Sequence, residues 1–181
     1  MKKFVNKIEN LLIESLSGLA AAHSALVSLH ANPNFLTRKK KAQNKVAIIS
    51  GGGSGHEPLR TGYIGFGILD AACQGHVFTS PSPDQMLAAG DAVHAGKAIL
   101  FIVKNDAGDG MNFEMAAEMP PFEIAAVLTS DDCAVINSTY TIGRHGVAGT
   151  LIVEKCVGSL AETGASLQAC KALGAKVNAY I

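Results

Sequence analysis

Two stretches of this 181-residue sequence put titratable side chains directly behind apolar runs. In the first, Val46-Ala-Ile-Ile49 leads into Ser50-Gly-Gly-Gly-Ser-Gly-His-Glu-Pro58. In the second, Ala98-Ile-Leu-Phe-Ile-Val103 leads into Lys104-Asn-Asp-Ala-Gly-Asp-Gly110. Each run reads as a buried strand, so both loops should open on the same edge of a parallel sheet, where such sheets place their chemistry. The first offers the backbone of Gly53, Ser54 and Gly55 and the imidazole of His56. The second offers Lys104, Asn105 and Asp109. A base that titrates near neutrality, a cation and a carboxylate are the parts needed to hold a small oxygen-rich molecule and take a proton from its hydroxyl.

Each of these residues also has a structural reading. His56 could cap a turn or sit on the surface, and Asp109 could cap the following helix. A lysine that closes an apolar strand is harder to explain that way, because burial of its stem desolvates the ammonium. Asp131 and Asp132 fit a capped turn better than a metal site, since no other carboxylate or histidine sits at ligand spacing. The glycine stretch lacks the lysine and the spacing of a Walker A loop. It also lacks the glycine spacing and downstream acid of a dinucleotide fingerprint, so nothing here assigns cofactor-binding residues.

The elements that must position these groups alternate between strand and helix. The apolar spacing predicts a helix over 4–29 that ends before Asn32-Pro33, then a polar connector carrying the basic run Arg38 to Lys41. Short strands follow at 46–49 and 77–79. Helices are expected at 83–93, where Pro83 and Asp84 suit a first turn, and at 111–119, stopped by Pro120-Pro121. Strands at 98–103 and 122–128 and helices at 147–160 and 166–178 complete the chain. The glycines of 62–67 suit either tight helix packing or a second wall of the pocket. The fold class is α/β, a mostly parallel sheet covered by helices on both faces, with the site at the strand C-terminal ends. Residues 1–45 form an N-terminal helix and connector, and 46–181 the α/β domain.

Composition excludes several function classes. Fifteen basic and fifteen acidic residues cancel, tryptophan is absent and aromatics make up 6%, which argues against a nucleic-acid or acidic-membrane partner. Four widely spaced cysteines, Cys73, Cys133, Cys156 and Cys170, fit free thiols in a reducing compartment. No leader or spanning segment is visible, so a cytoplasmic location is expected.

The motifs together closely resemble the dihydroxyacetone kinase family, in particular its dihydroxyacetone-binding DhaK subunits. The resemblance rests on Ser50-Gly-Gly-Gly-Ser-Gly-His-Glu-Pro58, on Gly62-Tyr63 with Gly65 and Gly67, and on Phe78-Thr-Ser-Pro-Ser-Pro-Asp84. It continues through Lys104-Asn105, Gly108-Asp109 and Asn112-Phe113 to Tyr140-Thr-Ile-Gly-Arg-His-Gly-Val-Ala148. It implies that His56 is the general base on a dihydroxyacetone hydroxyl. It also implies that Gly53, Ser54, Gly55, His56, Lys104 and Asp109 contact the substrate. Family members receive the phosphoryl group from a separate DhaL-type subunit, recharged by a phosphotransferase-system protein, or from ATP in a fused domain. By resemblance, then, ATP or ADP with magnesium belongs to the partner, no metal belongs to this chain, and a homodimer is expected.

Three departures stand out. Family subunits are about twice as long, and their second half carries a histidine that bonds covalently to the substrate carbonyl. His76, His94 and His145 do not sit in its motif. Position 106, an aromatic in the family's K-N-Y-x-G-D motif, is Asp106, and the stretch around Pro120-Pro121 is shorter. The expectation is therefore the substrate-binding part of a kinase, impaired alone. A dihydroxyacetone-sensing regulator is the alternative.

Overall fold

In chain order the computed structural model contains α1 (Leu11–Ala22), β1 (Val27–His30), β2 (Phe35–Arg38), β3 (Ala47–Ser54), β4 (Ala71–Val77), α2 (Pro83–Val93), β5 (Ile99–Lys104), α3 (Ala107–Glu118), β6 (Ile124–Thr129), α4 (Thr150–Glu162) and α5 (Leu167–Asn178). It describes residues 3–119, 121–135 and 142–181. Pro120, Tyr140 and Thr141, used above as a helix stop and as part of a motif, lie outside them.

The six strands form one sheet in the order β1-β2-β4-β3-β5-β6. The four strands β4, β3, β5 and β6 are parallel, and the hairpin β1-β2 adds antiparallel to β4. Side chains alternate across the sheet, as a period of two requires. Ile48, Leu100 and Ile102 face α1, α4 and α5 through Leu16, Val153, Val157 and Cys170. Ala47, Ile49, Phe101 and Val103 face α2 and α3 through Met86, Ala89 and Phe113. Both faces are therefore covered, which is why β3 and β5 are buried at every position.

Local chemistry sets the helix boundaries. Ser82 and Ser166 accept from Gln85 N and Ala169 N, capping α2 and α5, and Pro83 fits the first turn of α2. Asp131 accepts from the backbone N–H of Val147 (2.8 Å) and Gly149 (2.6 Å) just ahead of α4, and Asp132 accepts from Ala134 N (3.0 Å), the capped turn expected at these two residues.

The N-terminal reading needs correction. The helix ends at Ala22 instead of Leu29, and β1 and β2 replace the polar connector. Arg38, placed above in a solvated basic run, is buried at the end of β2. Arg38 and Lys45 both pair with Asp70 (2.9 and 2.8 Å) and with Glu162 (2.5 and 3.0 Å), tying the hairpin and β3 to α4. The strand expected at 77–79 runs instead from Ala71 to Val77, and α3 begins at Ala107, four residues before the expected start. Of the glycines at 62, 65 and 67, Gly67 alone serves helix packing, while Gly62 lies against Pro58 and Gly65 faces open space. Lys155 and Ser159 of α4 donate to the carbonyl of Gly67, and a side chain on Gly158 would strike the Ile68 backbone.

Candidate active site

The glycine stretch is a strand for most of its length. Gly51, Gly52 and Gly53 continue β3 beside Cys73, Gln74 and Gly75 of β4, so their backbone is paired in the ladder. What glycine provides there is space. The guanidinium of Arg60 occupies the volume that a side chain on Gly52 would fill. Arg60 donates to the carbonyl of Gly53 (3.2 Å) and is only 2% exposed. Its backbone sits at φ 71°, ψ −73°, and Thr61 N donates to Leu59 O (3.1 Å). That is a γ-turn of the rarer, strained hand, the sort of local strain that tends to cluster at functional sites.

His56 follows the end of β3, exposed, with its ring edge-on to Phe78 at 5.3 Å. Glu57 holds the turn that presents it. One carboxylate oxygen accepts from Gly55 N (2.9 Å) and the other from Gln74 Nε2 (2.8 Å).

Lys104 ends β5 and is 7% exposed. Burial, and then the neighbouring Arg60, push its ammonium below the usual lysine range, while Glu154, Asp131 and Asp109 act in the opposite direction. Asp109 lies in the first turn of α3, 3.8 Å from Arg60. Burial pushes its carboxyl above the usual range, although Ser80, Arg60 and Lys104 favour the anion. Asp109 does not cap its helix. Asp106 does, accepting from Gly108 N (3.4 Å), which gives the substituted position 106 a local role.

These groups converge on one cleft of about 540 Å3. Gly53, His56, Lys104 and Asp109, all read from the sequence, line it. Ser54 and Gly55 do not. The Ser54 hydroxyl donates to Gly75 O (2.6 Å), and Gly55 is exposed in the turn beside Phe78. Asn105 is also turned away, donating to the carbonyls of Ile142 and Arg144 (3.2 and 2.7 Å). The far wall brings Asp132 and His145, and Ser80 and Arg60 complete the floor.

Arg60, Ser80 and Glu154 escaped sequence reasoning. Glu154 of α4 is 1% exposed, and burial pushes its carboxyl up to about 7 against the pull of Ser50, Arg60 and Lys104. Ser80 alone carried a signal, because it belongs to a motif quoted above.

Chemically, the cleft suits a small neutral polyhydroxy compound better than a phosphate. The helix N-termini beside it, of α3 and α4, are both occupied by carboxylates, Asp106 and Asp131, where an anion would otherwise bind. Among the described residues no group of three or more His, Cys, Asp or Glu could hold a metal, and no helix is long and apolar enough to cross a membrane.

A mostly parallel sheet covered on both faces, with an imidazole, a lysine and a carboxylate at its strand C-terminal ends, is the arrangement that α/β small-molecule sites use. Residues 17–181 match the Dak1 domain family. The dihydroxyacetone-binding subunit DhaK of the PEP-dependent dihydroxyacetone kinase of Escherichia coli K12 is 48% identical over 98% of this chain and 51% of that protein. The corresponding subunit of a PTS-dependent kinase of Listeria innocua is 45% identical over 100% of this chain and 56% of its own. The dihydroxyacetone kinase of C. freundii superposes with a TM-score of 0.90 at 36% identity, covering 97% of this chain and 33% of that one. The chain belongs to the Dak1 family of dihydroxyacetone kinases, and it spans about half the length of the curated subunits it matches.

Proposed function

We propose that this chain is the dihydroxyacetone-binding part of a dihydroxyacetone kinase, one that yields dihydroxyacetone phosphate. The observation that carries this reading is the convergence of His56, Lys104 and Asp109, from three separate elements, on a single cleft. In that cleft Lys104 donates to a ligand oxygen and Asp109 accepts from a hydroxyl. His56, at the mouth, accepts the proton of the hydroxyl whose oxygen attacks the phosphoryl group. The phosphorus–oxygen bond to the donor breaks as the bond to the substrate oxygen forms.

The donor nucleotide, ATP or ADP with magnesium, is carried by a DhaL-type subunit or domain, recharged in bacterial systems through a phosphotransferase-system protein. Three features support this division: the absence of a nucleotide motif in the sequence, the carboxylate-capped helix ends beside the cleft, and the PEP- and PTS-dependent relatives. The chain is expected to work in the cytoplasm as a homodimer, within glycerol metabolism.

A regulatory reading has two likenesses behind it, a TM-score of 0.83 at 32% identity to a dihydroxyacetone kinase operon co-activator and one of 0.82 at 31% to a structure described as regulation of the dha operon of Lactococcus lactis. The kinase subunit of E. coli, at 48% identity, favours the enzymatic reading. Turnover coupled to a nucleotide-loaded DhaL-type subunit separates the two. Phosphorylation of dihydroxyacetone supports the kinase, and ligand binding with no turnover across all donors tried supports the regulator.

A further inference from the structure

Arg60 takes no part in the reaction just described, and its placement works against the stability of the fold. The side chain is buried, the backbone holds the strained γ-turn, and among the described residues Nε has no hydrogen-bond partner. Backbone bonds lock the turn around it, from Gly62 N to Pro58 O and from Tyr63 N to Arg60 O (both 3.0 Å). What this costly placement achieves is a bridge. Nη1 donates to the carbonyl of Gly53 (3.2 Å), and Nη2 lies 3.8 Å from Oδ2 of Asp109. Gly53 is where β3 slips its register against β4, since the pairing shifts between Gly53 and Ser54. Asp109 stands on a different element, in the first turn of α3, and is buried as well. One planar guanidinium, seated in the space that Gly52 leaves open, therefore spans the two loops that build the cleft.

We propose that Arg60 is a positioning residue that acts through Gly53 and Asp109, fixing the glycine peptide and the carboxylate relative to each other so that both meet the ligand at set places. Neither group is held to the other without it. The Gly53 carbonyl lies at a break in the strand ladder, where pairing with β4 no longer keeps a regular register. The Asp109 carboxylate has Oδ1 unpartnered among the described residues, so the guanidinium on Oδ2 is its anchor. A lysine at position 60 would supply the charge but not the fork, because an ammonium is a point charge on a flexible stem. The consequence for binding rests on the dihydroxyacetone reading of the cleft.

The test is dihydroxyacetone binding by calorimetry in the full chain, in Arg60→Ala and in Arg60→Lys. Arg60→Ala should bind about tenfold more weakly or worse, the loss expected for a charge-assisted contact. Dilute guanidinium chloride should restore part of that affinity by refilling the space beside Gly52, whereas sodium chloride of equal strength should restore none. A residue that only stabilised the fold would show no such rescue, because guanidinium lowers stability. Arg60→Lys should fall between wild type and Arg60→Ala. A folded Arg60→Ala protein that binds as tightly as wild type overturns the proposal, and so does weakened binding that guanidinium leaves unchanged. If Arg60→Ala does not fold, Arg60→Lys decides, and wild-type affinity there overturns the proposal. A wild type that takes no dihydroxyacetone refutes the dihydroxyacetone reading alone. The positioning is then read without ligand, from the 13C resonances of the Gly53 carbonyl and the Asp109 carboxylate. Both should move in Arg60→Lys, and resonances that stay in place overturn it.

Discussion

The guanidinium of Arg60 fills the place of a side chain at Gly52, so a strand glycine and a strained γ-turn arginine form one unit of the cleft floor. Gly52→Ala would force the guanidinium out and break its bond to Gly53 O and its pairing with Asp109. Overpacking plus loss of a buried charge pair should cost about 3 kcal/mol. A denaturant titration reads this as a lower midpoint with an unchanged slope.

Much of this fold was legible in the sequence, and the exceptions share a cause. The strands β3, β5 and β6 announce themselves as apolar runs, and α2 carries its Ser82-Pro83 start. The hairpin Val27–His30 and Phe35–Arg38 is too short to show a period of its own. It exists because Phe35, Leu36 and Thr37 pair with Cys73, Ala72 and Ala71 of β4, a long-range event. β4 itself, Ala71-Ala-Cys-Gln-Gly, has weak strand propensity and is fixed by its two neighbours. In the site, His56, Lys104 and Asp109 could be read because each ends or follows an apolar run. Arg60 and Glu154 look like surface residues in sequence. Only their burial against the far side of β3 and β5 reveals them.

Glu154 should make stability fall with rising pH. Its folded carboxyl titrates at about 7, above the ordinary value of 4.5, so between those values the native state binds more protons than the unfolded chain. The stabilisation it provides is complete below about 4.5 and is lost as pH rises through 7. The loss amounts to about 3 kcal/mol, from a shift of roughly two to three pH units at 1.36 kcal/mol each. Urea titrations at pH 5 and pH 8 should show this difference in the wild type and a smaller one in Glu154→Gln.

Asp70 holds the opposite end of the sheet. It is 1% exposed and accepts from Arg38, Lys45 and the backbone N–H of Ile48. Asp70→Ala leaves two buried cations short of a partner and should cost about 3–5 kcal/mol. The thermal midpoint measures the loss, and the cleft residues His56 and Asp109 should retain their geometry in whatever fraction stays folded.

His56 is exposed and, among the described residues, its ring pairs with Phe78 alone, edge-on, so His56→Ala should leave stability within about 0.5 kcal/mol of wild type. With a nucleotide-loaded partner subunit, turnover should fall by about 10²–10⁴-fold, the usual contribution of a general base. Unchanged turnover would remove His56 from the mechanism.

The central claim is that the cleft between His56, Lys104 and Asp109 receives dihydroxyacetone and leaves the nucleotide to a partner. Isothermal calorimetry on the full chain, with dihydroxyacetone in one titration and magnesium ATP in another, tests it most directly. The expected result is saturable heat from dihydroxyacetone, lost in Asp109→Ala, and none from ATP. Heat from ATP with none from dihydroxyacetone would contradict it.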